Sequence, residues 1–261
     1  MTAEAAGPLV GQHAIVTGGG TGIGAAAALA LAQLGARLTL IGRRAEPLAA
    51  SAGHIAAATG IATATECFDV TDAAAVAAGF ARIGPAEILV NNAGAAESAP
   101  FAKTGLDLLE RMLAVNLKGA FLCAQAALPA MLRAKHGRII AIASTAGLIG
   151  YPYVSAYVAA KHALIGLTRA LALETAKSGV TVNAVCPGFT DTELVVRSAA
   201  TIAAKTGRSL AEARAELTRS NPMGRLVTPE EVASAVAFLA LPGAGAVTGQ
   251  AIVIAGGEVM P

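Results

Sequence analysis

The chain contains no tryptophan, and aromatic residues make up only 3% of its 261 residues. Charge is also scarce, at 14%, and nearly balanced, with a formal net charge of +2. No basic run of the kind that meets phosphate backbones is present, which argues against a nucleic-acid partner. The three cysteines, Cys67, Cys123 and Cys186, are odd in number and widely spaced. Neither they nor the four histidines show metal-ligand or disulfide spacing, so small buried thiols in a reducing cytosol, and no metal, are expected. The hydrophobic share of 55% and a mean hydropathy of +0.62 would suit a membrane protein. An unbroken apolar span of about 20 residues is nevertheless lacking. The uncharged stretch Ala5–Ala36 is interrupted by Gly18, Gly19, Gly20, Gly22 and Gly24. Ile139–Ala160 is interrupted by Ser144, Thr145, Gly147, Gly150, Pro152 and Ser155. Met1–Leu9 carries Glu4 and Pro8 and no basic start, so no secretory signal is visible. A cytoplasmic protein without a membrane partner is expected.

Short apolar runs alternate with alanine-rich helical stretches. His13–Thr17, Arg37–Ile41, Thr63–Phe68, Ile88–Val90, Arg138–Ala143, Val180–Val185 and Gln250–Ile254 read as strands. Ala25–Leu34, Leu48–Thr59, Ala73–Ile83, Leu106–Arg133, Ala156–Ser178 and Pro229–Leu239 read as helices, with Pro129 a bend or stop near the end of the fourth. Continuous apolar strands are covered on both faces. Regular alternation implies a parallel sheet with right-handed crossovers. No linker or repeat interrupts it. The expectation is one α/β domain over residues 1–261, doubly wound and Rossmann-type. The polar segment 189–226, with two helical patterns around Gly207, sits where a helical substrate lid would.

Four motifs carry chemistry. The run Thr17-Gly18-Gly19-Gly20-Thr21-Gly22-Ile23-Gly24 follows a strand and opens a helix. In that context glycines admit a pyrophosphate to the helix N-terminus, although a glycine-rich turn alone is weak. After the second strand, an NAD site usually places an acid on the ribose. Here the residues are Gly42-Arg43-Arg44. Planar guanidinium donors suit a 2′-phosphate, so NADP(H) is favoured, with Arg43 first. NAD(H) stays open if Glu46 reaches back to the ribose. Asn91-Asn92-Ala93-Gly94 follows the fourth strand. Tyr157 and Lys161, at i and i+4, share a helix face. A cation near a phenol lowers its pKa and makes it a usable proton donor near neutrality. Tyr151 and Tyr153 have no lysine at that spacing. Ser144 follows the fifth strand, and Asn116 is a polar intruder in an apolar helix. Read singly, Tyr157 and Lys161 could be an ordinary surface pair.

Together and in this order, these motifs resemble the short-chain dehydrogenase/reductase family from His13 to Gly257. The resemblance implies that Tyr157 is the general acid in reduction. Lys161 lowers its pKa and binds the nicotinamide ribose, Ser144 orients the substrate oxygen, and Asn116 holds a relay water. Gly18, Thr21, Gly22, Ile23 and Gly24 would hold the cofactor, with Asp69 and Val70 at the adenine. Asn92, with Ala93 and Gly94, would lie at the ribose. Pro187, Gly188, Thr190 and Thr192 would flank the nicotinamide and pyrophosphate. The family often has an acid before the terminal Gly-Gly, where this chain has Ala255, which puts a local turn in doubt. Members that oxidise free 3-hydroxybutyrate usually carry His two residues after the serine; here Ala146 stands there.

The stretches Ile142–Thr145 and Thr181–Phe189 resemble ketoreductases of the 3-oxoacyl-thioester and polyketide type. The expected activity is therefore NADPH-linked reduction of a ketone, with a CoA or acyl-carrier-protein thioester as leading substrate. One alternative is an NAD-linked catabolic dehydrogenase of a 3-hydroxyacyl-CoA or a cyclic or secondary alcohol. Another is a non-catalytic dinucleotide binder. Arg197, Lys205, Arg208, Arg214 and Arg219 in the lid would meet a CoA or phosphopantetheine phosphate, or merely solubilise it. The resemblance also implies a homotetramer built on the helices at Leu106–Arg133 and Ala156–Ser178.

Overall fold

The structure is a computed structural model. It describes residues 7–260 and, of Lys205, only the backbone. Most of the segment read for a leader therefore lies outside the described residues. Seven parallel strands form one sheet in the order β3-β2-β1-β4-β5-β6-β7. They are β1 His13–Thr17, β2 Arg37–Gly42, β3 Thr63–Cys67, β4 Ile88–Asn91, β5 Gly137–Ile142, β6 Val180–Pro187 and β7 Ala251–Ile254. The helices are α1 Gly22–Gln33, α2 Ala45–Thr59, α3 Ala73–Ile83, α4 Leu106–Leu113, α5 Gly119–Ala134, α6 Ser155–Thr175, α7 Glu193–Thr206, α8 Leu210–Thr218 and α9 Pro229–Ala240. This is the expected doubly wound α/β fold. The strand order reverses at β1 and β4, so the loops after these two strands diverge and open a crevice at the sheet's carboxyl edge.

The apolar runs are buried as their continuity implied. Every residue of β1, β4, β5 and β6 is buried. On one face α1, α2 and α9 contribute Ala27, Ala28, Leu31, Ile55, Val232 and Val236 to a single core. Small residues at this seam let the alanine-rich α1 lie close against α9. On the other face Val76, Phe80, Cys123, Ala127 and Met131 pack against Ile15, Leu89 and Ile139. The edge strand β3 departs from the pattern: Thr63–Cys67 is largely open on its faces, and Cys67, expected to be buried, is exposed.

The expected single helix over Leu106–Arg133 is broken at a different place and by a different device. A π turn, Ala114–Lys118, separates α4 from α5 and carries Asn116 inward. Pro129 does not stop the helix, which continues to Ala134. Proline pushes away the carbonyl four residues earlier; both Gln125 and Pro129 are exposed, so water can reach that carbonyl. Among the described residues this run is the one helical stretch long and apolar enough to cross a membrane by length and composition. Its inner face is occupied by Leu108, Met112, Cys123, Ala127 and Met131 against the rest of the fold.

Candidate active site

The glycine run turns at the crevice. Gly18 and Gly22 take left-handed φ values of 64° and 53°, which favour glycine. The α1 N-terminus is open: Thr21 makes no side-chain cap bond, and no acid stands in the first turn. Unpaired N–H groups there suit an anion. Thr21, Gly22 and Ile23 face the cleft, but Gly24 does not. A Cβ on Gly24 would collide with the Gly18 carbonyl and Asn92, so its part is close packing.

Asn92 braces this turn. Its side-chain amide donates to the carbonyls of Thr17 (3.0 Å) and Gly18 (3.1 Å). The backbone N–H groups of Asn92 and Ala93 each donate to Thr17 Oγ1 at 3.0 Å. Expected beside a ribose, the Asn92 amide thus joins the loops after β1 and β4. Ser51 on α2 adds a bond to the Gly19 carbonyl at 2.9 Å.

At the far end of the crevice, Arg43 is exposed at the end of β2 and lies 3.9 Å from the Asp69 carboxylate. Burial pushes the Asp69 pKa up, but bonds from the Thr71 backbone and hydroxyl, with Arg43, outweigh it and hold the carboxyl below its ordinary value. Arg44 is exposed where α2 begins, and Val70 is buried against Gly119. These four residues stand apart from the main cleft, whose volume is about 820 Å³.

Ser144, Tyr157 and Lys161 converge inside that cleft with Asn116, Pro187, Gly188, Thr190 and Thr192. Ser144 leaves β5 in extended conformation, and its Oγ accepts from Ala146 N at 3.1 Å. Lys161 is 4% exposed. It donates to the Ile142 carbonyl at 2.8 Å, and its Nζ lies 5.6 Å from the Tyr157 ring centre. Burial lowers the ammonium pKa to about 8, and Cys186 works slightly against that. The Tyr157 pKa, expected to be lowered by Lys161, is raised: burial dominates, Cys186 adds to it, and only the Ser144 hydroxyl pulls it down. In this arrangement the ammonium faces a carbonyl oxygen, which explains why it does not stabilise the phenolate. Asn116 is tightly tied as well. Its amide donates to the Ala95 (2.9 Å) and Met112 (3.0 Å) carbonyls, and its oxygen accepts from Ala95 N at 3.3 Å. These bonds fix the loop after β4.

The sequence pattern of the short chain dehydrogenase family matches residues 12–203. The chain belongs to the short-chain dehydrogenase family. It is an oxidoreductase of the ketone–alcohol pair. A protein of Streptomyces violaceoruber described as ketoacyl reductase 1 of the granaticin polyketide synthase is 42% identical over 94% of this chain and 92% of its own. A D-beta-hydroxybutyrate dehydrogenase of Cupriavidus necator is 39% identical over 92% of this chain and 95% of its own. A crystal structure of an actinorhodin polyketide ketoreductase variant with NADPH superposes with a TM-score of 0.90 at 36% identity, covering 95% of this chain and 97% of that one.

In this short-chain dehydrogenase, α7 and α8 cover the cleft on either side of Gly207, whose φ is 71°. The lid arginines are engaged by lid carboxylates. Arg197 lies 3.5 Å from Glu193, Arg208 3.3 Å from Glu216, Arg214 2.7 Å from Asp191, and Arg219 3.4 Å from Glu216. Solvated lid charge is the reading this geometry favours; the Lys205 side chain lies outside the described residues. Among the described side chains lining the cleft, the basic ones are Lys161 and Arg197. Sequence reasoning set Tyr151 aside and gave Phe189 no role, yet all three tyrosines and Phe189 line the cleft. Their clustering was the available signal, in a chain with six Phe and no Trp.

Proposed function

We propose that the protein reduces a ketone to a secondary alcohol with NADPH, and that a 3-oxoacyl thioester of CoA or an acyl carrier protein is its leading substrate. The observation that carries this reading is the convergence of Ser144, Tyr157 and Lys161 in a mostly apolar cleft beside the open α1 N-terminus. The residues present fit a dinucleotide. A Cβ on Gly22 would press within 3.1 Å of the Thr192 methyl, and Gly18 has no room for one beside Asn92 and Ala93. Backbone N–H groups at Gly22–Gly24 would hold the pyrophosphate, and Arg43 with Arg44 the 2′-phosphate. The NADPH seen in the actinorhodin ketoreductase supports the same choice.

When bound, the nicotinamide supplies the hydride. Ser144 donates a hydrogen bond to the carbonyl oxygen and holds it against Tyr157. As the carbonyl carbon is reduced, the Tyr157 hydroxyl gives its proton to that oxygen. Lys161 would hold the nicotinamide ribose, and its ammonium, once turned from the Ile142 carbonyl toward Tyr157, would stabilise the phenolate left behind. Asn116 secures the Ala95 loop that closes this side of the cleft. The homotetramer remains part of the proposal: the helical run Leu106–Ala134 and α6 leave Leu106, Phe121, Leu132 and Leu173 exposed. So do the single-domain reading of residues 1–261 with its lid at 189–226, and a cytoplasmic location.

The second reading, NAD-linked oxidation of a 3-hydroxyacyl-CoA or a cyclic alcohol, is favoured by the Asp69 carboxylate near Arg43. The hydroxybutyrate dehydrogenase relative points the same way. A panel of ketones, 3-oxoacyl thioesters and alcohols with both cofactors separates them. NADPH-dependent loss of the thioester ketone supports the first reading. NAD⁺-dependent oxidation alone supports the second. Cofactor binding without turnover on any member supports a non-catalytic binder.

A further inference from the structure

Tyr151 has no lysine partner in the sequence, but it has an acid partner in space. Its hydroxyl lies 2.9 Å from Thr145 Oγ1 and 2.9 Å from Glu258 Oε1. A phenol has one proton to give, and a carboxylate is the stronger acceptor, so Tyr151 donates to Glu258. Ser220, just beyond α8, donates to the same oxygen at 2.8 Å. The other oxygen, Oε2, is buried and has no hydrogen-bond partner among the described residues. It packs over Gly188, where a Cβ would lie only 2.9 Å away. A tight turn brings Glu258 there: Gly256 and Gly257 have φ of 59° and 89°, and Glu258 N donates to the Ala255 carbonyl at 3.1 Å. The acid absent before the Gly-Gly pair is thus present just after it.

This carboxylate ties the loop before α6 and the exit of the lid to the turn at Gly256–Glu258, and Tyr151 reaches on from it to Thr145 in the turn after β5. Two of its neighbours face the cleft. Tyr151 stands edge-on to Phe189, with ring centres 6.0 Å apart and planes at 80°, and both rings line the wall.

We infer that Glu258 is a positioning residue for the substrate side of the cleft, holding the Tyr151 ring as a fixed wall and tying that wall to the base of the lid. With its hydroxyl drawn toward Glu258, Tyr151 presents an apolar ring to the substrate and does not compete with Tyr157 as a proton donor. Burial, and the carboxylate beside it, push the Tyr151 pKa up to about 12 against the Thr145 bond, which keeps the phenol neutral. The wall then favours ketones with a bulky apolar substituent. This inference rests on the reading of the cleft as a ketone site.

The test uses the full chain with Glu258→Ala, Glu258→Gln, Tyr151→Phe and the double variant Glu258→Ala/Tyr151→Phe. Because the chain has no tryptophan, tyrosine emission is directly readable. A carboxylate acceptor quenches tyrosine, so emission should rise in Glu258→Ala and should not rise when the same change is made in Tyr151→Phe. With a bulky ketone, KM for Glu258→Ala should rise about tenfold, the size of one lost charge-assisted hydrogen bond, while kcat on a small ketone stays within about twofold. Glu258→Gln should recover most of the KM, and the double variant should be no worse than the worse single one. Unchanged emission in both Glu258 variants overturns the contact, with or without turnover. KM effects that multiply in the double variant, or a kcat loss on all substrates at constant KM, overturn the positioning role. A rise in emission with no ketone turned over would refute the ketone-site reading, leaving the contact itself standing.

Discussion

Lys161 and His13 are both buried bases, and burial lowers the pKa of each, with different consequences. Lys161 serves the cleft. His13 sits at the opposite edge of the sheet, with ring nitrogens 2.9 Å from the Pro85 carbonyl and 2.8 Å from Thr39 Oγ1. Burial lowers the His13 pKa, opposed by the Pro85 bond and the Glu87 charge, and Arg37 lowers it further. His136 shifts the same way through burial and Arg138. The unfolded chain then binds more protons than the native one between the native pKa and about 6.5, so stability is full above that value and falls as pH drops through the window. Urea midpoints measured from about pH 8 to about pH 5 should decline, and His13→Gln should flatten the decline; an unchanged slope would remove His13 from the account. Arg43 provides a second residue-scale prediction. Arg43→Ala should weaken NADPH use by about tenfold or more while leaving NADH use nearly unchanged, read as kcat/KM for each cofactor. Equal losses would point to a general role for Arg43. Tyr157, Lys161 and Ser144 were legible because their meaning lies in short spacings and strand ends. The direction of the Tyr157 shift was not, because it depends on where Lys161 Nζ turns, and that is set by the Ile142 carbonyl on another element.

At the scale of elements, strand and helix identities followed from continuous apolar runs and glycine punctuation. What stayed hidden were features that depend on tertiary partners. The π turn at Ala114–Lys118 leaves no composition signal; it exists because Asn116 can bond both Met112 and the Ala95 loop. The opening of β3 follows from its edge position, which a five-residue run cannot reveal. The α1 glycines were legible as a cluster, but their separate tasks were not. Gly24 marks the closest approach of α1 to the loops after β1 and β4. Gly24→Ala should therefore push α1 off its seat and raise the NADPH dissociation constant by about tenfold or more, measured by cofactor fluorescence titration. Unchanged affinity would show that the seam can absorb a methyl group.

At the scale of the whole molecule, the hydrophobicity that looked membranous divides into two uses. Most of it forms the two layers of core beneath and above the sheet. Some remains outside, with Leu173 81% and Leu106 75% exposed on helices that have no internal partner for those side chains. On the proposed homotetramer, further copies of the chain would cover such faces and light scattering should return the mass of four chains; a monomer mass would overturn that proposal. The central claim concerns the proton donor in the cleft, and one measurement bears on it most directly. The purified chain is mixed with NADPH and a 3-oxoacyl thioester, and loss of NADPH absorbance is followed for the wild type and Tyr157→Phe. The account predicts steady turnover by the wild type and a rate about 10²–10⁴-fold lower in Tyr157→Phe, with NADPH still bound. Near-normal turnover by Tyr157→Phe would contradict it.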